Sequence, residues 1–359
     1  MSALPKYAVI FQQLHQALER GTYRPGDRLP SETALGRKFR ASRPTVAQGL
    51  RELQRLGLIE RRAGAGTFVR PPEPVTAGTL GLIADGLATT EIVEPIAVEL
   101  ARAARARGWH VLRGAAIADR DADQVAREWK ARAAAGVFLA PLEHHPVRAA
   151  FNQALAERLR AQGIAVVLLD RDLAEFPEHS GHDLVAIDDF FAGFDLAAHL
   201  LDRGARRLAF VARPAFPSTT DLRLAGARTA AGRVEGADLA FCVGSPADDR
   251  FVRTLLRRHH CDGIICANDA TAAELMQSLQ RLGRRVPHEV RVAGFDDIRY
   301  AKLLVPPLTT MRQPCAELGA AAVETMLSRL ADRHAPSRRV LLRAELVVRA
   351  STGTGAAQG

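Results

Sequence analysis

Two groups of residues have types and spacings that can do chemistry. The first lies within the first 70 positions. Ser42, Arg43, Thr45 and Gln48 fall within seven residues of one another, Ser31 precedes them, and Arg61, Arg62, Gly64, Gly66 and Thr67 follow. A guanidinium pairs bidentately with guanine and a carboxamide with adenine, while hydroxyls suit phosphate oxygens. Side-chain-free glycines let a backbone approach a nucleic-acid strand closely. The second group is spread along the rest of the chain: Asp85, Asp170, Arg223, Asn268 and Asp296. Carboxylates accept hydrogen bonds from hydroxyls, and an amide both donates and accepts. Converging on a cleft, such residues would hold a hydroxyl-rich small molecule.

The charge distribution supports a division of labour. The 359 residues carry a formal charge of +9. The first 75 hold 13 Lys and Arg against 6 Asp and Glu, a net of +7, which leaves +2 for the other 284. A small basic module on a near-neutral body is the electrostatic outline of a nucleic-acid binder. With 47% hydrophobic and 25% charged residues, global disorder is excluded. No apolar run reaches the ~18 residues that a membrane span needs. The first residues lack a basic stretch followed by an apolar one, so no secretory signal is expected. These readings predict a soluble, cytoplasmic protein. Cysteines 242, 261, 266 and 315 form no C-x-x-C pair and are expected as small buried hydrophobes. No metal site and no cofactor are expected.

The elements that must position the first group are short. Tyr7, Ile10, Phe11, Leu14 and Leu18 recur at helical spacing. Ser31 can cap a second helix with Leu35 and Phe39 facing inward. Ser42 can cap a third, with Pro44 in its first turn and Val46, Leu50 and Leu53 on its buried face. Ile59–Arg62 and Thr67–Val69 read as a hairpin through Gly64-Ala65-Gly66. Three helices and a glycine-tipped hairpin describe a winged helix-turn-helix over 1–70, whose third helix suits the major groove.

The proline-rich stretch 71–78 reads as a stiff linker. From 79 to 352, apolar strands alternate with amphipathic helices, which predicts doubly wound parallel sheets in two lobes. Residues 353–359 read as a tail. In such sheets ligands bind outside the carboxyl ends of strands. Asp85, Asp170, Asn268 and Asp296 each follow an apolar run. Arg223 lies in a loop-to-helix stretch. Structural alternatives stand beside these roles: Asn268 or Asp269 can cap the next helix, and one of Asp296 and Asp297 can be purely structural. Phe190, Phe216 and Phe241 are candidates for stacking on a sugar ring, with core packing the stronger expectation for each.

Tyr23-Arg-Pro-Gly-Asp-Arg-Leu-Pro-Ser-Glu32, Ser42-Arg-Pro-Thr-Val46 and Gly64-Ala-Gly-Thr-Phe-Val69 resemble the DNA-binding domain of GntR-type bacterial repressors. Arg is usual in that family where Ala47 and Thr33 stand, so those two contacts are not carried over. Val185-Ala-Ile-Asp188, Ala267-Asn-Asp269, Val292-Ala-Gly-Phe-Asp-Asp297, Pro306-Pro-Leu-Thr-Thr310, Gln313-Pro314 and Val347-Val-Arg-Ala-Ser-Thr352 resemble the effector domain of LacI-type regulators. That domain is similar to periplasmic sugar-binding proteins. The resemblance implies effector contacts at Asp170, Arg223, Asn268 and Asp296. Asp188-Asp189 departs from it, because Asp-Asn is usual there. A GntR-like reader joined to a LacI-like sensor is similar to regulators of the arabinose-repressor type. The combination implies a homodimeric transcription regulator, a repressor of operator DNA governed by a sugar or related small molecule.

Two rival functions are disfavoured. A transport binding protein would lack the basic module. An α/β enzyme would need a nucleotide- or nucleophile-bearing turn, and no Gly-x-Gly-x-x-Gly, P-loop or Gly-x-Ser-x-Gly is present. His259-His260 has no nucleophile or metal partner in view.

Overall fold

The computed structural model describes residues 6–19, 22–24, 26–55, 58–62, 66–70, 77–84, 92–114, 120–142, 148–214 and 216–353. Gly64, the expected linker from 71 to 76, Asp85 and the tail from 354 onward lie outside them. The chain divides into two compact units: residues up to Ala77 together with Arg105–Gly108 form the first, and the rest from Gly78 forms the second.

The first unit is built on α1 (Lys6–Glu19), α2 (Glu32–Phe39) and α3 (Arg43–Arg55), followed by β1 (Ile59–Arg62) and β2 (Gly66–Val69). The expected apolar stripes meet in one core of Ile10, Leu14, Leu29, Leu35, Val46, Leu50, Leu53, Ile59 and Val69. Gly49 lets α3 lie close to α1, since a Cβ there would stand 3.1 Å from the Tyr7 carbonyl. Ser31 caps α2, accepting from the Ala34 N–H at 3.2 Å. β1 and β2 pair antiparallel with Arg61 opposite Thr67. The segment before α2 runs along β2, its Leu29 N–H donating to the Thr67 carbonyl. This pairing brings the start of α2 beside the hairpin.

The second unit has two lobes. The first begins with β3 (Gly78–Ile83), so Gly78 is already strand. It continues through α4 (Val93–Arg105), β4 (Trp109–Arg113), α5 (Ala122–Ala131), β5 (Ala134–Leu139), α6 (Arg148–Ala161), β6 (Ala165–Leu169) and β7 (Asp183–Ile187). The chain then crosses to the second lobe with α7 (Asp189–Asp202), β8 (Arg207–Ala212), α8 (Ser218–Ala231), β9 (Asp238–Val243), α9 (Asp249–His259), β10 (Gly263–Cys266), α10 (Asp269–Arg281), β11 (Arg291–Asp296) and β12 (Thr309–Arg312). It returns with α11 (Cys315–Ala331) and β13 (Arg339–Leu342), and crosses a third time to β14 (Glu345–Val347). The strand orders are β4-β3-β5-β6-β7-β13 and β9-β8-β10-β11-β12-β14. Every pair is parallel except β12–β14.

Central strands such as Ala-Val-Val-Leu-Leu169 are buried throughout, as parallel strands covered on both faces must be. One continuous core includes Leu80, Ile96 and Phe138 of the first lobe with Leu196, Phe210 and Phe295 of the second. Four strands carry a weak sequence signal. β9 and β13 are half-exposed edges, and β14 is a three-residue antiparallel edge. β12 reads as polar, yet Thr309 and Thr310 are fully buried. Thr309 Oγ1 lies 2.8 Å from Thr352 Oγ1, and Thr310 donates to Asp269 at 2.7 Å.

Candidate DNA interface and effector cleft

In the winged helix, Arg43 and Arg61 converge on one carboxylate. Arg43 Nε lies 3.0 Å from one oxygen of Glu32, and Arg61 Nη2 lies 2.6 Å from the other. The pairing of the pre-α2 segment with β2 makes this possible, because it brings Glu32, the first turn of α3 and β1 together. The Arg43 side chain is 80% exposed. Ser42 stands just before α3, and its Oγ lies 2.7 Å from Thr45 Oγ1. The sequence predicts Ser42 as a helix cap, and the structure gives its hydroxyl Thr45 as partner. Gln48 is exposed on the same helix, and Thr67 lies on β2 opposite Arg61. Gly66 has φ of +119°, and a Cβ there would strike the Arg28 guanidinium. Arg62 ends β1. The described candidates thus occupy the cap of α2, α3 with its flank, and the hairpin, and Arg43 stands largely in solvent while paired with Glu32.

The second site is assembled at strand ends. Asp170 follows β6, Asp189 follows β7, Asn268 follows β10, Asp296 ends β11 and Gln313 follows β12. Asp170, Asp296 and Asp297 have φ of +70°, +109° and +52°. Non-glycine residues rarely adopt such angles, and they persist where the surroundings over-determine them.

Arg223, on α8, is the hub. It is 4% exposed. Its Nε donates to Asp189 Oδ1 and its Nη1 to the Ala267 carbonyl, both at 2.7 Å. Its Nη2 lies 3.9 Å from Asp296 Oδ1, and the guanidinium stacks on Phe295 with 4.5 Å to the ring centroid. α7 and α8 must touch for this to occur. A Cβ on Gly193 would overlap the Arg223 carbonyl, and one on Gly226 the Phe190 carbonyl. Burial pushes the Asp189 carboxyl up to about 7, Arg223 opposes that push, and the charges of Asp170 and Asp296 reinforce it. Burial works against the Arg223 charge, but Asp189, Asp296 and Asp170 more than offset it and raise its pKa.

The other expected residues separate by role. Asp170 is buried with Arg171, whose Nε donates to it at 2.9 Å. Asn268 caps α10: its Oδ1 accepts from the Thr271 N–H at 2.9 Å and the Thr271 hydroxyl at 2.7 Å. Asp296 accepts from Gln313 Nε2 at 2.9 Å. Asp297 is the structural member of its pair, held by Arg312 at 2.7 Å and Arg349 at 2.6 Å. Asp269 is also structural. It is fully buried, accepts from Thr310 and from the Ile298 N–H, and burial raises its carboxyl far above the usual range.

Three residues at these strand ends were not assigned to the site by sequence reasoning: Arg171, Asp189, which was noted only as a departure from the LacI-type pattern, and Gln313, noted only as part of a motif. Gln313 is 3% exposed, and its Oε1 meets no donor among the described residues. Their strand-end positions were the available signal. Phe216 and Phe241 stack edge-on at 5.5 Å and pack against the core, while Phe190 stacks edge-on with Phe191 at 5.6 Å. The four cysteines are free thiols, and Cys261 and Cys266 sit in the core of the second lobe. His260 is an exposed helix C-cap with φ of +46°.

Residues 6–69 match the gntR family of bacterial regulatory proteins, and residues 197–352 match a periplasmic binding protein-like domain. The arabinose metabolism transcriptional repressor of Geobacillus stearothermophilus is 28% identical, over 97% of this chain and 98% of that protein. The ribose operon repressor of Escherichia coli is 32% identical over 49% of this chain, which spans 55% of that protein. Among solved structures, transcription regulator GntR from Chromobacterium violaceum superposes with a TM-score of 0.59 at 26% identity, covering 76% of this chain and 99% of that one. The regulator CelR in complex with cellobiose gives 0.65 at 22% identity, covering 87% and 91%. No described helix is long and apolar enough to cross a membrane.

Proposed function

We propose that this chain, a gntR-family winged helix joined to a periplasmic binding protein-like domain, is a cytoplasmic transcriptional repressor whose hold on operator DNA is set by a sugar. One observation carries the reading. A basic module with an exposed Arg43 shares a chain with polar strand ends where Asp170, Asp189 and Asp296 surround Arg223, and Asn268 follows the Ala267 whose carbonyl Arg223 meets. The first suits a charged duplex, the second a neutral ligand rich in hydroxyls.

In this reading α3 enters the major groove. Arg43 and Gln48 read base edges, Ser42 and Thr45 hold phosphates, and Ser31, Arg61, Arg62, Gly64, Gly66 and Thr67 contact the backbone or minor groove. In the cleft, Asp170 and Asp296 accept from sugar hydroxyls while Arg223 donates. Two donors already fill Asn268 Oδ1, so a ligand meets its NH2. Asp85 serves the same ligand from the loop after β3. The reaction is binding alone, with no turnover.

Asp189 and Gln313 stand within the first two of the three crossings between lobes. A ligand gripped there changes the angle between the lobes. A second copy of this chain is the partner, and the exposed Leu303 and Val305 offer it apolar surface. The dimer presents two α3 helices about 34 Å apart, or a multiple of that, to a pseudo-palindromic site. Ligand and DNA are coupled by about 1–3 kcal/mol, a 5- to 150-fold change in affinity.

The test begins by selecting duplexes with the purified full chain, then titrates sugars into the complex. Enrichment of a two-fold-symmetric site whose affinity shifts 5- to 150-fold with one sugar is expected. No enriched site, or an affinity indifferent to every sugar, would overturn the reading.

A further inference from the structure

Six charged or polar side chains at the cleft have defined partners. Asp170 pairs with Arg171, Asp189 pairs with Arg223, and Asp296 is held by Gln313. That is three carboxylates against two guanidinium groups. Other cations near these strand ends are paired as well: Arg213 after β8 with Glu274 at 3.0 Å, and Arg312 at the end of β12 with Asp297 at 2.7 Å. Among the described residues, then, each guanidinium at the site already has a carboxylate partner.

Asp189 is the member that departs from the LacI-type pattern, where Asn is usual. The difference is electrical rather than steric. An Asn oxygen would accept the same N–H from Arg223 but would leave its positive charge uncompensated at that side. A buried guanidinium left with Asp296 at 3.9 Å and the charge of Asp170 would be less fully compensated and so a better partner for an anionic ligand. The acceptor Gln313 Oε1 adds a second constraint, because it requires a donor, while the Arg213 Nε–H, which meets no acceptor among the described residues, requires the reverse. A hydroxyl supplies both, whereas an ionised phosphate or carboxylate only accepts.

We propose that Asp189 sets the charge selectivity of the cleft: by neutralising Arg223 in place, it restricts the effector to an uncharged sugar and rejects phosphorylated and acidic sugars. This rests on the sugar-sensing reading above. Asp189 acts through Arg223, so it is a positioning residue. The charged groups facing it are Arg223 from α8, Asp170 from the end of β6 and Asp296 from the end of β11. Its carboxyl, at about 7, loses its proton within the neutral range, so the rejection strengthens as pH rises from 6 to 8.

The experiment is calorimetric titration of the full chain with neutral pentoses and hexoses, the corresponding aldonates and the terminal phosphates. The aldonate carboxylate stays ionised from pH 6 to 8, so any pH dependence of the neutral-to-aldonate ratio belongs to the protein. The expected result is at least a tenfold preference for a neutral sugar over its aldonate and phosphate, growing with pH. In Asp189→Asn the preference falls by about tenfold and its pH dependence disappears. Wild-type protein that binds the acidic form as tightly as the neutral one would overturn the selectivity and leave the sugar site standing. An unchanged preference in Asp189→Asn would overturn the role of Asp189. If that variant does not fold, the wild-type pH series decides, and a flat ratio overturns the proposal. Should no sugar of either kind bind or shift operator affinity, the sugar-sensing reading itself fails.

Discussion

The two sites use the same pair of chemical groups in opposite surroundings. Arg43 of the winged helix meets Glu32 at 3.0 Å with its side chain 80% exposed. Arg223 of the cleft meets Asp189 at 2.7 Å with both side chains 5% exposed or less. In water an ion pair is worth about 0–1 kcal/mol, because solvation competes for both partners. In the interior, removing one partner costs about 3–5 kcal/mol, because the other is left charged and unsolvated. The exposed arginine can therefore leave its carboxylate for DNA at little cost. The buried one cannot leave, so its value lies in a fixed direction and a fixed charge.

This contrast can be broken in order of expected size. Arg223→Ala should lower the unfolding free energy of the second unit by about 3–5 kcal/mol in urea titrations, and should abolish any sugar-induced thermal shift. A loss below ~1 kcal/mol would mean that the pair is solvated and the contrast false. Next comes pH. The folded carboxyl of Asp189 sits at about 7 against 3.8 for the unfolded chain. A group raised in this way contributes stability that is complete below the unfolded value and is lost as pH rises through the folded one. Stability of the wild type should therefore fall, relative to Asp189→Asn, by a few kcal/mol between about pH 4 and 8. Parallel curves for the two proteins would remove Asp189 as the titrating group. The smallest effect on folding belongs to Arg43→Ala, within about 0.5 kcal/mol of wild type. The same change should weaken operator binding by about 1–3 kcal/mol and relax base preference at one position. A variant that destabilises the module but binds DNA normally would invert the comparison.

Much of this was legible along the chain because it is local. Helical spacing located α1, α2 and α3, and apolar runs located the central strands of both sheets. The strand-end rule found Asp170, Asn268 and Asp296, since a parallel strand delivers the next residue to the ligand edge whatever the surrounding fold. The edge strands β9, β13 and β14 escaped because half-exposed, short segments carry little periodic signal. Asp189 and Gln313 were visible in motifs, but their place at the site was not, for another reason. Asp189 matters only because Gly193 and Gly226 let α7 touch α8, and Gln313 only because the chain changes lobe beside it.

Asp296 and Asp297 show where the division falls. Composition, charge placement and motif spacing determined that this chain has a basic reading module and a two-lobed body with polar strand ends. They could not distinguish two adjacent aspartates of identical chemistry. Tertiary structure did, by placing Arg312 and Arg349 around Asp297 and turning Asp296 toward Arg223 and Gln313. Charge is written in the residue, but its strength and purpose depend on partners and burial, and those come from segments more than fifty residues apart in some cases and fewer than twenty in others.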